Sequence, residues 1–511
     1  MAAALEVIYR FVQEGKVLGP FPGKTRFCPI TGHPLFFYPS FVVPKSTPGS
    51  FRWVLNASYS QGGPSINDRI FDYSTSLIDV KTSLLPCVRS RFMARIDLTR
   101  AFKQLFRSIE QMYLLATVVG ENVFIDATMS MGLRNTCKLF EEDFMKAFVK
   151  GLVHHHPDLF SDNMGNLVDS YLDDIWFLAN TREKNMLQLL VAEYWASWLG
   201  IQLNYGKRKL PSSEVQHLGF EINLARKVVL VTQKHRSRVS NFFDQFLIAA
   251  RKNQRISIKS IQKMLGLQIW ISTVFRVARQ FLTSVCDLLR VTYSGTYFYP
   301  RKHPALVART VKDLKFWRRF VSGKATASFD YLLCRLPPSK ERLSSDASTS
   351  YGMSGVILFH VPHRDFPGFD GLFWQQSWKE WERVFSMTAV KPGAVKINAA
   401  EFLAMLITCE TFTDLCAGKL TYLEVDNTCA QAWFEAARCP LFPFDRCAQG
   451  THLHMLDYKM KVKTRWVSSS DNILADRCSR EKLHKDADER FPGDVRMLEV
   501  KPRWQNVMKF M

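Results

Sequence analysis

The spacing of apolar residues divides this chain into a strand-rich part, a helical part and a second strand-rich part. Alternating apolar and polar positions predict a hairpin over residues 113–126. Apolar residues three and four apart predict amphipathic helices over 135–149 and, repeatedly, over 234–292. Residues 342–480 have the pattern of an α/β region. The other predicted elements are strands over 51–56 and 92–97, helices over 76–85 and 182–199, and hairpins around Tyr171 and over 215–231.

Proline, glycine and polar residues mark the places where regular structure is not expected. Residues 1–45 contain Gly19-Pro20-Phe21-Pro22-Gly23, which predicts an extended lead-in. Pro337-Pro338 predicts a linker, and the charged residues after 482 are typical of a tail. His154-His155-His156 is predicted to lie in a polar surface loop rather than at a metal.

Composition indicates a globular protein of several domains. The 511 residues are 47% hydrophobic and carry a net charge of +21. Such an excess of cations favours a nucleic-acid partner, although charge alone fits a merely basic protein equally well. We expect about three or four domains, because the chain is too long for one core.

Cysteine usage and hydropathy narrow the cellular setting. The 11 cysteines include no Cys-x-x-Cys pair, which favours a reducing compartment over a zinc ribbon or a disulfide framework. No apolar stretch approaches the roughly 20 residues of a membrane helix. Residues 1–16 lack the features of a secretory signal. An intracellular protein, cytoplasmic or nuclear, is therefore expected.

The most informative motif is Tyr171-Leu172-Asp173-Asp174, at the tip of a predicted hairpin. Taken alone, two aspartates beside a strand are more typical of a solvated turn. Asp97, however, ends a strand of its own, and strand-borne carboxylates placed side by side can hold Mg²⁺. Two such ions can stabilise the attacking and leaving oxygens of phosphoryl transfer. Asp97 and Asp173 are predicted to bridge both ions, with Asp174 on the opposite face of its strand in support.

The motifs around these aspartates follow the order found in reverse transcriptases, which the chain resembles. Tyr171-Leu172-Asp173-Asp174 is similar to the hallmark box of that family. The other similar segments are Phe51-Arg52-Trp53-Val54-Leu55-Asn56, Asp97-Leu98-Thr99-Arg100-Ala101-Phe102, Gly132-Leu133-Arg134-Asn135, Leu203-Asn204-Tyr205-Gly206-Lys207 and Leu218-Gly219-Phe220.

The resemblance implies a role for individual residues in these segments. Lys45 and Arg52 would bind the incoming triphosphate, and Phe102 would act as a steric gate against the 2′-hydroxyl of ribonucleotides. Gly132 would contact template and dNTP, and Lys207 is a candidate for protonating pyrophosphate. Gly219 would belong to the primer grip. Taken singly, Phe102 fits a core position, Lys207 a solvated charge and Gly132 an ordinary turn equally well.

A second acidic set follows residue 340. Asp346 is predicted to open a strand, Glu401 lies on an apolar helix, Asp426 ends a strand and Asp476 lies on a further helix. Four such carboxylates can converge on a two-metal site that activates water against a phosphodiester. Their order resembles the ribonuclease H domain of retroelements. That family often has a histidine after Trp-Val, where this chain has Trp466-Val467-Ser468-Ser469-Ser470.

Further segments resemble DIRS-like retrotransposons, whose elements also carry a tyrosine recombinase. The resemblance covers about residues 8–480 and rests on Gly19-Pro20-Phe21, Val43-Pro44-Lys45, Gly63-Pro64-Ser65-Ile66-Asn67-Asp68 and Ala475-Asp476-Arg477-Cys478-Ser479-Arg480. The departures lie at Ser130-Met131, where the family has proline and an aromatic residue, and at Cys137 and Asn56. They bear on fidelity and dNTP affinity, since none removes a metal ligand.

The sequence thus predicts an α+β multidomain protein: a right-hand polymerase with fingers, palm and helical thumb, followed by an α/β ribonuclease H-like domain. The expected parts are residues 1–231 (N-terminal extension, fingers and palm), 232–335 (thumb and connection), 336–482 (ribonuclease H-like) and 483–511 (tail). The resemblance implies RNA- and DNA-directed DNA synthesis and cleavage of RNA in hybrids. It also implies two Mg²⁺ or Mn²⁺ ions per site.

The implied partners are an RNA template, a DNA primer, RNA–DNA hybrid and dNTPs. Other proteins encoded by the same element are further candidate partners, and no membrane association is expected. Two alternatives stay open. One is a domesticated scaffold that binds nucleic acid without turnover, which the departures near Gly132 motivate. The other is an active polymerase with an inert hydrolytic domain.

Overall fold

The computed structural model contains helices and strands in both of its compact units. It describes residues 2–44, 49–60, 62–70, 80–292, 295–324, 326–333, 335–380, 397–436, 439, 444–481, 483, 490–491 and 495–507. The first unit comprises residues 1–215 and 223–226, and the second comprises 216–222 and 227–511. The mixture of α and β structure is as expected, and the finer four-part division stays a prediction.

The first unit is built on an antiparallel sheet that carries the acidic motifs. Its strands are, in spatial order, Lys209–Ser212, Phe92–Asp97, Asp174–Ala179 and Val168–Tyr171. Ile175 and Phe177 point to one face and are fully buried against Leu189 and Ala192 of the helix Arg182–Trp198. Side chains alternate between the two faces of the strand, and Trp176 and Leu178 on the opposite face are also buried.

Three smaller sheets also lie in the first unit. Asn122–Asp126 pairs with Val17–Pro22 and with Ala116–Val119, as the predicted hairpin over 113–126 requires. Ser40–Pro44 pairs with Phe51–Leu55. Two short strands, Ser161–Asp162 and Gly165–Asn166, form a further hairpin.

The N-terminal lead-in is not extended throughout, because residues Ala2–Gln13 form a helix. Val7, Ile8 and Phe11 are buried on it at helical spacing, and proline and glycine punctuate the chain only after it ends. The other helices of the first unit are Ile66–Arg69, Val80–Leu84, Thr136–Lys138, Lys146–His155, Pro157–Phe160 and Arg182–Trp198, with 3₁₀ turns at Pro86–Arg89, Ala101–Gln104, Ile109–Leu114 and Tyr205–Lys207.

The predicted helix over 135–149 contains a π-helical segment, Leu139–Met145, between two α-helical pieces. The histidine triplet is not in a loop, since His154 and His155 form the last turn of Lys146–His155. Both are exposed, as expected of surface residues. Residues 76–79 of the predicted helix over 76–85 lie outside the described residues.

The second unit begins with the helices expected over 234–292. They are Gln233–Arg251, Ile258–Val274 and Thr283–Arg290, with the 3₁₀ segment Arg276–Leu282 between the last two. After residue 292 follow the helices Pro304–Arg319 and Phe329–Leu332, the 3₁₀ segment Pro300–Lys302 and the π-helical Phe320–Lys324. Val228–Val231 pairs with Thr326–Ser328, and Ile256–Ser257 with Tyr297–Phe298. The strands Glu214–His217 and Phe220–Asn223 lie where the chain passes from one unit to the other.

A sheet of seven strands follows these helices in the second unit. In spatial order its strands are Lys461–Trp466, Leu420–Val425, Pro338–Ala347, Gly352–Leu358, Gly371–Ser377, Val495–Glu499 and Arg490–Phe491. Pro338–Ala347 runs antiparallel to Gly352–Leu358 and parallel to Leu420–Val425. The helix Ile397–Thr411 is buried along its length from Ala399 onward, and the other helices are Thr428–Ala436, Phe444–Asp457 and Ile473–Arg480.

Three predictions in this region were wrong. Pro337-Pro338 is not a linker, because Pro338 starts a central strand, where the first residue needs no N–H donor. Asp346 lies near the end of that strand rather than opening one. Residues after 482 are not only a tail, since Val495–Glu499 pairs in parallel with Gly371–Ser377.

The last described residues are anchored by the buried carboxylate of Glu410. Its Oε1 accepts a hydrogen bond from Asn506 N at 2.8 Å, and its Oε2 accepts one from Val507 N at 2.9 Å. Gly450 makes room for this segment: a Cβ there would lie 1.5 Å from the Asn506 oxygen. The C-terminal residues are therefore held on the helix that also carries Glu401.

Among the residues that the structure describes, no helix combines the length and hydropathy needed to cross a bilayer.

Substituting Gly450 by alanine should destabilise the second unit, whereas the same change at Gly266 should stabilise it. Both glycines are helical, but a Cβ at Gly266 meets nothing within 4 Å. We expect Gly450→Ala to lower the free energy of unfolding by about 2 to 3 kcal/mol through steric overlap. Gly266→Ala should raise it by about 0.5 to 1 kcal/mol. Urea unfolding checks both; equal effects would contradict the anchoring of Asn506 and Val507.

Candidate active sites

The register of two strands brings the acidic motifs of the first unit together. Asp97 lies directly opposite Asp174 in the antiparallel pair of Phe92–Asp97 and Asp174–Ala179. Leu98 N donates to Asp173 O at 3.0 Å, which places the next carboxylate beside the same strand end. Residues 77 positions apart in sequence thus share one site, by long-range pairing alone.

The turn that carries Asp173 is held by a buried glutamate. Leu172 adopts a left-handed φ of 53°, a conformation that costs a non-glycine residue about 1 kcal/mol. Glu141 Oε2 accepts a hydrogen bond from Leu172 N at 2.5 Å, and Glu141 Oε1 accepts one from Ser170 Oγ at 3.1 Å. Burial raises the pKa of Glu141. These bonds compensate for the strained turn.

Sequence reasoning missed Glu141. It lies in the π-helical segment Leu139–Met145, next to the buried Phe140. Such segments are often found at functional sites, but they leave little trace in apolar periodicity. The available signal was an acidic residue on the apolar side of a predicted helix.

The carboxylates in this site repel one another. Burial and the nearby Asp97 carboxylate raise the pKa of Asp173. Burial raises the pKa of Asp174 to about 6, although Arg95 Nη1 lies 3.5 Å from Asp174 Oδ2. A divalent cation would relieve this repulsion, so the residues present fit a metal site.

Lys207 reaches the same site. Its Nζ donates to Asp97 Oδ2 at 2.9 Å, and this bond raises the pKa of Lys207. Asn204 Nδ2 donates to the same oxygen at 3.2 Å. Two donors thus hold one oxygen of Asp97.

A cleft of about 800 Å³ opens over these residues. Asp97 and Asp173 line it, as do Arg52 and Phe102, whereas Asp174 faces Arg95. The Phe102 ring meets Phe140 edge to face at 5.2 Å, which fixes its position. The remaining lining residues include Arg10, Phe51, Trp53, Arg100, Lys103, Met131, Leu172, Asn204 and Lys207. Lys45 lies outside the described residues.

Gly132 and Tyr171 lie near this cleft on separate elements. Gly132 has a φ of 112°, and a Cβ there would lie 2.4 Å from the Leu55 oxygen, so its backbone lies against the strand that carries Arg52. Asn67 Nδ2 donates to the Gly132 oxygen at 2.7 Å. Tyr171 ends the strand before the acidic turn, and burial raises the pKa of its hydroxyl.

Gly219 belongs to the second unit. Its φ is 82°, and a Cβ there would lie 2.6 Å from His235 Cε1. Trp270 Nε1 donates to Leu218 O at 3.0 Å, so a helix residue holds the turn. Glycine is required here for packing of the turn against the helices.

The second acidic set forms a compact cluster. Asp346, Glu401 and Asp426 each offer a carboxylate oxygen, and these oxygens lie within 4.8 Å of one another. Strand, helix and strand end position the three side chains. The cluster could hold a metal ion.

The electrostatics of the cluster fit a cation. Glu401 Oε2 is buried and has no hydrogen-bond partner among the described residues. Burial, together with Asp346 and Asp426, raises the pKa of Glu401 to about 9. Burial also raises the pKa of Asp346 to about 6, although Ser479 Oγ donates to its Oδ2. An unpaired buried carboxylate is costly, and a bound cation would remove that cost.

In the described structure Asp476 stands apart from this cluster. Its Oδ1 accepts a hydrogen bond from Arg480 Nε at 2.7 Å, on the helix Ile473–Arg480. Its charge still acts on Asp346, whose pKa it helps to raise. Of the four carboxylates predicted to converge, three therefore form the cluster and the fourth, Asp476, lies farther away.

The serine loop Ser468-Ser469-Ser470 approaches the cluster through Ser469. Ser469 Oγ donates to Asp426 Oδ2 at 2.6 Å, and Trp466 Nε1 donates to Asp426 O at 3.1 Å. Sequence reasoning noted the loop but assigned Ser469 no role, and it also missed Ser479. Hydroxyl partners of carboxylates have no distinctive spacing in a sequence.

Comparisons with known proteins show similarity in structure only. No protein-family model and no curated protein matches the chain. A foamy viral protease-reverse transcriptase in complex with double-stranded DNA is similar at 15% identity and a TM-score of 0.47, over 92% of this chain and 69% of that chain. The same kind of protein with an RNA/DNA hybrid has 15% identity and a TM-score of 0.47, over 92% of this chain and 54% of that chain. At these values the likeness assigns no activity, and the DIRS-like affinity stays a prediction.

Divalent cations should bind the Asp346 cluster with release of protons. Because the pKa of Glu401 is about 9 and that of Asp346 about 6, Glu401 is protonated at pH 7 and Asp346 largely ionised. Mn²⁺ should therefore displace about one proton at pH 8 and between one and two at pH 6, and should bind more tightly at pH 8.

Calorimetry in two buffers of different ionisation enthalpy measures this release. It is best done in an Asp97→Asn, Asp173→Asn background, where only the second site remains. Glu401→Gln is the matched variant and should bind more weakly while releasing about one proton fewer. Equal binding enthalpies in both buffers would show that Mn²⁺ binding releases no protons, which would contradict this prediction.

Proposed function

We propose that this protein is an RNA- and DNA-directed DNA polymerase with a ribonuclease H activity. The observation that carries the proposal is the meeting of Asp97 with the Asp173-Asp174 turn at the floor of a cleft, since these carboxylates come from distant segments. The Asp346 cluster supports the hydrolytic part. A link to retroelements belongs to the same proposal.

In the polymerase cleft, Asp97 and Asp173 would hold Mg²⁺ or Mn²⁺, with Asp174 in support. Two such ions would activate the primer 3′-hydroxyl and neutralise the leaving pyrophosphate. Arg52 projects into the cleft from its strand and would bind the triphosphate, together with Lys45. Lys207, which donates a hydrogen bond to Asp97, would transfer a proton to the leaving group.

Phe102 would exclude ribonucleotides. The ring lines the cleft and is held by its edge-to-face contact with Phe140. A fixed ring cannot move away from a 2′-hydroxyl, so discrimination would be steric. Gly132 would contact template and dNTP through its backbone, and its lack of a side chain allows that backbone to pack against the strand that carries Arg52.

At the second site, Asp346, Glu401 and Asp426 would hold the cations and Asp476 would complete the set. When bound there, the cations would supply activation of water for hydrolysis of the RNA phosphodiester. Ser469 and Ser479 orient Asp426 and Asp346 through hydrogen bonds. The partners would be RNA template, DNA primer, their hybrid and dNTPs, and the net charge of +21 favours such polyanions.

Primer extension on poly-rA/oligo-dT with Mg²⁺ or Mn²⁺ tests the polymerase. Asp173→Asn should reduce the rate at least about a hundred-fold, because a charge-stabilising group is lost. The matched control is Asp158→Asn, an exposed aspartate of the same unit, which should extend like wild type. Extension by Asp173→Asn at the wild-type rate would refute the assignment of the site.

A second candidate is a non-catalytic scaffold that binds nucleic acid. The Lys207 ammonium occupies one oxygen of Asp97, and in a chain without turnover this ion pair would take the place of a cation. Primer extension distinguishes the two candidates. If neither wild type nor Asp173→Asn extends a primer while both bind hybrid, the scaffold hypothesis is correct.

Cleavage of a labelled RNA–DNA hybrid tests the second site. Asp426→Asn should abolish cleavage and leave primer extension intact, because Asp426 belongs to the other unit. Asp365→Asn, an exposed aspartate of the same unit, is the control. Extension without any cleavage by wild type would show a polymerase with an inert hydrolytic domain.

A further inference from the structure

The helix Arg182–Trp198 is apolar on two opposite faces. One face buries Leu189, Ala192 and Ala196 in the core of the first unit. The opposite face presents a second set of large apolar residues to solvent. We call Leu187, Leu190, Tyr194 and Trp198 the outer stripe. A helix that is hydrophobic on all sides is normally buried on all sides.

The outer stripe is strongly exposed. The exposed fractions are 52% for Leu187, 49% for Leu190, 70% for Tyr194 and 70% for Trp198. At 100° per residue these four positions lie within an arc of about 80°, and they extend for about 16 Å along the helix. They form one continuous surface, whereas single exposed apolar residues need no explanation.

Neighbouring residues hold the end of the stripe in place. Trp198 packs against Trp195 with ring centroids 5.7 Å apart. His155 stacks on Trp195 at 4.7 Å, and Trp195 Nε1 donates to His156 Nε2 at 3.0 Å. The histidine triplet thus has a structural role, and a pre-ordered aromatic side chain loses little entropy when it binds.

The stripe is complementary to itself. When two copies of the helix pack antiparallel about a two-fold axis, Leu187 of each copy lies opposite Trp198 of the other, and Leu190 opposite Tyr194. Each aromatic ring then meets a smaller side chain, which allows close packing. No charged residue occurs between 185 and 192, and Glu193 is paired with Arg208 at 2.7 Å.

The available area fits a dimer of moderate strength. Large side chains bury about 150–250 Å² each, so the exposed fractions amount to about 500 Å² per copy and about 1,000 Å² in a two-fold pair. This is the lower boundary of specific interfaces, so we expect weak association, with a dissociation constant on the order of micromolar.

We infer that two copies of this protein associate through the outer stripes of their Arg182–Trp198 helices, packed antiparallel. None of the outer-stripe residues lines the cleft of the first unit. The inference goes beyond the proposed function and does not depend on it.

Sedimentation of the full chain without nucleic acid tests the inference. Wild type should shift from monomer to dimer over about 1 to 50 µM. Leu187→Glu and Trp198→Arg should each weaken association at least about ten-fold. The control is Ile109→Glu, which changes an equally exposed apolar residue of the same unit and should dimerise like wild type.

Mixing the two variants tests the register. Leu187→Glu and Trp198→Arg should recover a dimer only when combined, since the heterodimer pairs the new glutamate with the new arginine. A wild type that stays monomeric throughout this range would overturn the inference, as would a dimer that survives both substitutions. So would a monomeric Leu187→Glu variant that melts at a lower temperature than monomeric wild type, because the stripe would then be covered within the chain.

Discussion

The antiparallel register of Phe92–Asp97 against Asp174–Ala179 is the constraint on which the first site depends. A slip by one residue would turn Asp97 to the other face and remove it from the cleft. Both strands are buried along most of their length, with Ile175 and Phe177 packed against Leu189 and Ala192, so a slip would also displace these apolar side chains. Packing of apolar side chains therefore determines where the carboxylates meet.

Both acidic sites concentrate negative charge that the protein partly offsets. In the first site, Lys207 and Arg95 lie beside the carboxylates. The carboxylate of Glu141 holds the acidic turn by accepting a hydrogen bond from its backbone at Leu172. In the second, serine hydroxyls contact Asp346 and Asp426, while one oxygen of Glu401 has no partner among the described residues. The negative charge of the second site is thus offset less than that of the first, and a bound cation would stabilise the second site more.

Much of the architecture follows from local pattern. The acidic strand, the Tyr171 hairpin, the helix Arg182–Trp198 and the helices after residue 232 occur where apolar spacing predicts them. The N-terminal helix Ala2–Gln13 was missed because the proline and glycine residues that follow it led to the prediction of an extended segment. The strand Val495–Glu499 was missed because its partner, Gly371–Ser377, lies over a hundred residues earlier in the chain. The supporting Glu141, Ser469 and Ser479 were missed because a carboxylate or hydroxyl has no periodic signature.

The sequence by itself determined the kinds of element, the identity of the acidic residues and their order along the chain, because these depend on short-range periodicity and side-chain chemistry. Only the tertiary structure decided which carboxylates meet. It joined Asp346, Glu401 and Asp426 and left Asp476 beside Arg480. It also decided that Trp198 is exposed while Leu189 is buried, although both are apolar residues of one helix. Burial and convergence are set by contacts between distant segments, which no local pattern contains.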